Sequence, residues 1–282
     1  MQSQDATFTA FDGLTLYRRS WLPENDPRAV ILLVHGLGEH CGRYQHVAAR
    51  LVDAGYAVHA LDHRGHGRSE GKRAFVKTYD EFMRDLAQFR SIVESQHPGK
   101  ALVMLGHSMG GNLAVGHALN HQAGLAGLAL SGAALEVGDD FSPLQLKVFS
   151  LIAKVAPGVR PQGLSADAIS RDPAVVAAYQ ADPLVYTGKI SAGLGAALIG
   201  AMQSFPDRYG ELTLPIWIGH GTEDQLADIA GSRKLEAAAV NAAVTSHYYD
   251  GLYHEIFNEP EQAQVLDDLV AWLDGVCPDG AA

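Results

Sequence analysis

The chain has 282 residues and a formal net charge of −11, with 47% hydrophobic and 19% charged residues. This balance is typical of a globular protein with ample core material and excludes a disordered chain. An acidic surface repels phosphates, so we expect no nucleic-acid partner.

The first ten residues are polar and acidic and lack the basic start and apolar core of a signal peptide. No run approaches the ~20 apolar residues of a membrane span. The two cysteines, Cys41 and Cys277, do not suggest a disulfide framework and are predicted to be free thiols. We therefore expect a cytoplasmic protein that is at most peripheral at membranes, with an oligomeric state that the sequence leaves open.

Strands and helices alternate along the first half of the chain. Residues 6–22 read as a hairpin around Phe11–Gly13. Further strands are predicted at Ala29–Val34, Tyr56–Leu61, Ala101–Leu105 and Leu125–Leu130, and helices at Arg43–Ala54, Tyr79–Gln96 and Met109–Asn120. Continuously apolar strands joined by helices favour a mostly parallel, doubly wound sheet.

The alternation stops after Ser131 and resumes near the end. Residues 136–206 contain helix-like segments, including Pro143–Ala156, one that starts at Arg171–Pro173, and Ser191–Ser204. Strands return at Leu214–Ile218 and Val244–Tyr249, with helices at Ala230–Ala239 and Glu259–Leu273. We predict an eight-stranded α/β core of residues 1–135 and 207–282. A helical cap insertion, residues 136–206, would cover the sheet edge where ligands bind in such folds.

The apolar cap segment around Leu144–Ile152 has two interpretations, which do not exclude each other. It can pack as ordinary core, or it can line an acyl pocket and make transient contact with a membrane surface.

The segment Gly106–Gly110 (GHSMG) fits the pattern G-x-S-x-G and lies between a predicted strand and a predicted helix. That context is the one the motif requires, because the serine must sit on a strained turn that only flanking glycines leave room for. Ser108 is therefore the predicted nucleophile.

A serine hydroxyl needs a base, and in this order of motifs the acid and then the histidine follow the serine. His254 follows the last predicted strand, whereas His247 lies within it and is interpreted as structural. Asp224 follows the preceding strand and is the predicted acid, with Glu223 and then Asp228 as alternatives.

The oxyanion that forms on attack needs two backbone donors. The amide of Met109 directly follows the nucleophile, and Leu37 lies in the loop after the strand that ends at Val34.

No metal or other cofactor is predicted. The helix-like segment from His254 lacks the second histidine of a zincin, and His117 and His121 have metal-like spacing but no evident third ligand. The glycine-rich loop Asp62–Gly71 lacks the lysine of a P-loop and is interpreted as a brace for the serine turn.

Several segments resemble the monoacylglycerol lipases, including their bacterial members. They are His35–His40 (HGLGEH), Gly42–Tyr44 (GRY), Asp62–Gly71 (DHRGHGRSEG), Gly106–Gly111 (GHSMGG), Ser170–Pro173 (SRDP), Asp182–Leu184 (DPL) and Gly251–Glu255 (GLYHE). GHSMGG is shared with many hydrolases, whereas the HGLGEH loop together with the cap motifs is far more specific. The resemblance covers nearly the whole chain.

The resemblance implies an α/β-hydrolase fold whose cap forms an apolar tunnel for an acyl chain. It implies release of fatty acid and glycerol from a monoacylglycerol or related lipid ester. It also implies that Glu39, Arg43, His107 and Tyr179 help to build the polar glycerol end, directly or through water. Ala227 and Tyr186 stand where mammalian members carry cysteines. This leaves Cys41 as a thiol beside residues 35–40, the predicted oxyanion loop.

Two rival functions stay open, because a fold does not determine a substrate. One is another hydrolase of this fold: a lysophospholipase, a broad carboxylesterase or a peptidase such as proline iminopeptidase. The other is a binding protein that keeps the fold without turnover. A dehalogenase is excluded, because it would need a carboxylate at the position of Ser108.

Overall fold

An eight-stranded sheet runs through the centre of the protein, in a computed structural model that describes residues 1–138, 151–160 and 166–278. Its strands are β1 (Gln2–Thr9), β2 (Thr15–Leu22), β3 (Val30–Val34), β4 (Ala57–Leu61), β5 (Leu102–His107), β6 (Leu125–Ser131), β7 (Ile216–Gly221) and β8 (Val244–Tyr249). They are arranged in the order β1-β2-β4-β3-β5-β6-β7-β8, and every neighbouring pair from β4 to β8 is parallel. The predicted mostly parallel sheet is confirmed.

Helices cover both faces of the sheet. They are α1 (Gln45–Asp53), α2 (Tyr79–Gln96), α3 (Met109–His121), α4 (Pro173–Ala181), α5 (Ala192–Ser204), α6 (Ile229–Ala238) and α7 (Gln262–Val276). On β3, Val30, Leu32 and Val34 pack into the layer of α2 and α3, while Ile31 and Leu33 pack into the layer of α1 and α7. The run is continuously apolar because both faces of this strand are buried.

Helical structure follows β6 in the described residues of the predicted cap. Asp172 caps α4 by accepting a hydrogen bond from the Ala174 amide at 2.8 Å, and Ser191 caps α5 through the Leu194 amide at 3.2 Å. Residues 151–155 are helical. The sheet takes no strand from the described residues between 132 and 215. Most of the predicted apolar cap segment, residues 143–150, lies outside the described residues, and the cap boundaries stay a prediction.

Several elements differ from the sequence prediction at their first residue, β1, α1 and α7 among them. Strand β1 begins at Gln2, because it pairs residue for residue with β2 from Gln2–Leu22 to Thr9–Thr15. A 3₁₀ turn over Cys41–Tyr44 precedes α1. Helix α7 begins at Gln262 and not at Glu259, whose buried carboxylate instead accepts hydrogen bonds from Arg171.

Within the described parts of the chain, no helix combines the length and the hydropathy needed to cross a membrane.

Candidate active site

Ser108 lies on a sharp turn between β5 and α3, at the carboxyl edge of the sheet. Its φ of +54° and ψ of −120° are unfavourable for a residue with a side chain. The turn packs tightly, since a Cβ on Gly110 would lie 2.0 Å from the Val34 carbonyl oxygen and one on Gly106 would lie 2.4 Å from that of Gly110. A hydrogen bond from the Ser108 amide to the Ser131 carbonyl, 3.0 Å, fixes the turn to the neighbouring strand. The serine is half-buried at the wall of a cavity.

His254 and Asp224 come together from the loops after β8 and β7. Nδ1 of His254 is 2.8 Å from Oδ2 of Asp224, and both side chains are buried. The other carboxylate oxygen of Asp224 accepts hydrogen bonds from the amides of Leu226 (2.8 Å) and Ala227 (3.0 Å). Because a carboxylate accepts, Nδ1 carries the proton and Nε2 of His254 keeps its lone pair.

The electrostatics of this pair favour an ionised Asp224. Burial raises the pKa of its carboxyl, but His254 and His220 outweigh burial and lower it. Burial likewise lowers the pKa of His254, yet the charge of Asp224 and its hydrogen bond raise it above the ordinary value. The sequence alternatives are placed differently: Asp228 caps α6 through the Ala230 amide, and His247 lies 3.5 Å from Asp268.

His220 supports the pair and was missed by sequence reasoning. Its Nε2 lies 3.1 Å from Oδ2 of Asp224, and its Nδ1 lies 2.8 Å from the Ser232 hydroxyl. Its position as the penultimate residue of β7, just before the predicted acid, was the available signal.

Leu37 and Met109 line the same cavity as Ser108. Met109 is the first residue of α3, where an amide has no acceptor within the helix. Gly36 lies against the serine, since a Cβ there would be 3.2 Å from Cβ of Ser108. The predicted oxyanion donors are thus both beside the serine, and their roles stay a prediction.

A buried cluster of charges forms one wall beside His254. Arg43 donates from Nη1 to Glu39 (2.8 Å) and Glu255 (2.5 Å), and from Nη2 to Glu255 (2.7 Å). Glu39 also accepts from the Gly36 amide at 2.6 Å and the Tyr44 hydroxyl at 2.7 Å. The guanidinium of Arg43 lies 4.6 Å from the ring centre of Tyr179.

This cluster contains three of the four residues predicted for a glycerol site. Glu39 and Tyr179 line the cavity, and so does His107, whose ring lies 4.7 Å from that of His254. Arg43 is not among the lining residues and instead forms ion pairs with Glu39 and Glu255. Glu255 lines the cavity and was missed as a site residue, although it directly follows His254 in the sequence.

The cavity holds about 970 Å³ of empty space, part of it in the open mouth. Its polar residues surround Ser108 and His254. The rest of the described wall is largely apolar, including Ala134, Ile169, Ile190, Leu198, Met202 and Leu226. Such a cavity suits a ligand with one polar end and one apolar end.

Two hydrogen bonds tie the oxyanion loop to the predicted cap. The Tyr186 amide donates to the Gly38 carbonyl at 2.7 Å, and Nε2 of His40 lies 3.0 Å from Oδ2 of Asp182. The HGLGEH and DPL motifs therefore contact each other across the cavity rim.

The Asp62–Gly71 loop braces the oxyanion loop. Asp62 accepts from the Cys41 amide at 2.8 Å, and the His63 amide donates to Nε2 of His35 at 3.0 Å. Cys41 is fully buried there, and burial raises the pKa of its thiol.

His117 and His121 do not form part of a metal site in the described chain, which contains no group of three or more candidate ligands. His117 instead packs against Arg90, with 3.3 Å between Nε2 and Nη1.

Comparison with known proteins agrees with this geometry. A hydrolase family model described as serine aminopeptidase S33 matches residues 25–261. A monoacylglycerol lipase of Mycolicibacterium smegmatis is 45% identical over 267 residues, 95% of each chain. A monoglyceride lipase of Rattus norvegicus is 33% identical over 265 residues, covering 93% of this chain and 88% of that protein. The crystal structure of a Paleococcus ferrophilus monoacylglycerol lipase matches 98% of this chain and all of that one, with a TM-score of 0.81 and 29% identity.

The sheet order, the strained serine turn and these matches agree on the class: the protein is an α/β-hydrolase and a carboxylic ester hydrolase. Within that class, the chain belongs to the monoacylglycerol lipase family. The resemblance in the sequence is confirmed. The family model carries a peptidase's description and the relatives carry lipase names, so the substrate has to be argued from the site.

Proposed function

We propose that the protein hydrolyses monoacylglycerols to fatty acid and glycerol through an acyl-enzyme on Ser108. The observation that carries this proposal is the cavity, which combines Ser108, His254 and a hydrogen-bonding wall with a largely apolar remainder. A monoacylglycerol has the same division into a small polyol and an acyl chain. The names of the relatives support the same substrate.

In the proposed reaction, Nε2 of His254 takes the proton of Ser108 as its oxygen attacks the ester carbonyl. Asp224 keeps the required tautomer and stabilises the imidazolium that forms. The amides of Leu37 and Met109 bind the oxyanion. His254 then protonates the departing glycerol oxygen, and water releases the fatty acid from Ser108.

Glu39, His107 and Tyr179 are the proposed contacts of the glycerol hydroxyls, because they line the polar wall. The Nδ1 of His107 lies 3.1 Å from the Ser131 hydroxyl, and burial lowers the pKa of this imidazole to about 3, so it stays neutral. Arg43 is proposed to position the glutamates and not to contact glycerol, because its Nη1 and Nη2 groups already donate to Glu39 and Glu255.

We further propose transient contact with membranes through the cap, where a lipid substrate would enter. Exposed apolar side chains support this: Leu151, Val155 and Val159 are 62%, 80% and 49% exposed. The test is cosedimentation with phospholipid vesicles. Val155→Asp should weaken binding, and Val240→Asp, at a 77% exposed valine outside the predicted cap, should not. Equal binding of both variants and the wild type would contradict a role for the cap.

Glycerol and fatty-acid release from monoacylglycerols, octanoyl to stearoyl, tests the main proposal beside the matching lysophosphatidylcholines and short p-nitrophenyl esters. Monoacylglycerols should be preferred, and Ser108→Ala should retain only the residual ~10³–10⁴-fold over water that binding and an oxyanion hole give. Preference for the lysolipids would make the protein a lysophospholipase. Cleavage of only the short esters would make it a general carboxylesterase and remove the glycerol-site assignment.

A further inference from the structure

The polar wall of the cavity carries negative charge that no cation of the described lining balances. Glu39 and Glu255 are its acidic residues, and the described lining contains no lysine or arginine. We propose that this wall selects headgroups by charge: it accepts O-acyl esters of small cationic amino alcohols as a second substrate class and disfavours anionic headgroups. The inference rests on the proposed function in using the same serine and the same cavity.

The charge follows from the groups packed around His254. The side chains of Glu39, Glu255 and Asp224 are three buried carboxylates, and Arg43 contacts two of them through its guanidinium. With His254 neutral, two negative charges remain. Since the three carboxylates are buried and the Arg43 side chain is only 11% exposed, water and salt screen them only weakly.

Neither neighbouring base offsets this charge. His107 stays neutral because burial lowers the pKa of its imidazole. The pKa of His254, which burial lowers, is raised by Asp224, Glu255 and Glu39, which is the response expected of a site with negative potential. A positive headgroup beside the ester would experience the same attraction that a proton on His254 does.

Arg43 is poorly placed to bind an anion. Its Nη1 and Nη2 groups donate to the two glutamates, and the ring of Tyr179 lies 4.6 Å from its guanidinium. A phosphate at the polar wall would therefore meet carboxylates first. Conversely, Glu39 Oε2 and Glu255 Oε1 each accept one hydrogen bond, from Arg43, and a carboxylate oxygen can accept a second.

The chemistry on such an ester is the proposed hydrolysis, with water as the co-reactant. The Ser108 oxygen bonds to the acyl carbon, the bond from that carbon to the amino alcohol oxygen breaks, and the proton that His254 took from Ser108 goes to that oxygen. Water then cleaves the acyl-enzyme to the fatty acid. No oxidant or reductant is involved.

The experiment compares octanoylcholine with 3,3-dimethylbutyl octanoate, which has the same shape and no charge. Both esters are assayed below the solubility limit of the neutral ester, where neither aggregates, and choline avoids the acyl migration of ethanolamine esters. After correction for the hydroxide-catalysed rates, kcat/KM for the choline ester should exceed that for the neutral ester by about tenfold or more. The same assay with 1-octanoylglycerol and its 3-phosphate should show at least that preference for the uncharged compound.

Glu255→Gln removes one of the two net charges and should lower the choline-to-isostere ratio by about tenfold. Glu94→Gln is the control, because Glu94 is an exposed residue that pairs with Arg90 near the end of α2 and is absent from the cavity lining. That variant should leave the ratio unchanged. Should Glu255→Gln fail to fold, Glu39→Gln and the wild-type ratio provide the same test.

Equal rates on the choline ester and its isostere, or an unchanged ratio in a folded Glu255→Gln protein, would overturn the inference. Its failure is distinguishable from failure of the proposed function. Cleavage of 1-octanoylglycerol without any charge preference removes only the inference. Cleavage of octanoylcholine without cleavage of 1-octanoylglycerol removes only the monoacylglycerol assignment.

Discussion

Replacement of Asp224 by asparagine tests the proposed triad without changing its shape. The side-chain oxygen of the asparagine can still accept from the amides of Leu226 and Ala227, so the loop should keep its conformation. The amide nitrogen would replace Oδ2, which now lies 2.8 Å from Nδ1 of His254 and 3.1 Å from Nε2 of His220. A donor there requires Nδ1 of His254 to accept, which moves the imidazole proton to Nε2.

In that tautomer, Nε2 can no longer take the proton of Ser108. The loss expected from a wrong tautomer is about 10⁴ in kcat, equivalent to about 5 kcal/mol of transition-state stabilisation. KM should change little, because Asp224 lies behind His254 and does not line the cavity. The measurement is kcat and KM on a soluble monoacylglycerol, with circular dichroism to verify folding.

The two sequence alternatives serve as controls. Asp228→Asn keeps a residue that caps α6 equally well, and Glu223→Gln changes an exposed loop acid. Both should keep kcat within a few-fold of the wild type. The reasoning is refuted if folded Asp224→Asn protein keeps most of its activity, or if either control loses as much.

Three further predictions concern pH, stability and thiol chemistry. Burial disfavours protonated His254, but Asp224 and then Glu255 raise its pKa above the ordinary 6.5, so activity should fall as the pH drops through a midpoint above that value. Glu255→Gln should move this low-pH fall of the initial rate to lower pH. An unchanged midpoint would contradict the conclusion that Glu255 raises the pKa of His254. Arg64→Met leaves the fully buried Asp85 unpaired and should lower the free energy of unfolding in urea by about 3–5 kcal/mol. Arg50→Met, in an exposed pair with Asp267, should cost less than about 1 kcal/mol, and similar losses in both would argue against the effect of burial. Cys41 and Cys277 are buried with raised thiol pKa values, so Ellman's reagent should label neither in the native protein and both after unfolding; rapid native labelling would contradict this.

The local sequence was sufficient to predict a structural element where the physical reason for that element lies within one short segment. The five apolar residues of β3 predict a strand buried on both faces, and Gly106–Gly110 predicts a crowded serine turn. The order of strands then places Asp224 and His254 after β7 and β8, which is why their approach to each other could be expected.

Features that depend on contacts distant in sequence could not be predicted in the same way. The polar strand β1 extends to Gln2 because it pairs with β2, and nothing in residues 2–5 alone favours a strand. Glu259 looks like a helix residue, but it is bound to Arg171, which is 88 positions away. The resemblance implied that Arg43 helps to build the glycerol end, directly or through water, and its hydrogen bonds to Glu255, 212 positions away, could not be read from the sequence.

The two hydrogen bonds that join the oxyanion loop to residues 182–186 have a consequence for how such enzymes diverge. We expect changes in the cap to alter chain-length preference without other effects only where they keep two contacts: that of Asp182 with His40 and that of Tyr186 with Gly38. A cap grafted from a relative that lacks these two contacts would leave Gly38 without its hydrogen bond from Tyr186. Leu37, the predicted oxyanion donor, directly precedes Gly38 and would lose support as well. We therefore expect changes at Asp182 or Tyr186 to alter the catalytic rate as well as the acyl selectivity, and changes elsewhere in the predicted cap to alter acyl selectivity alone.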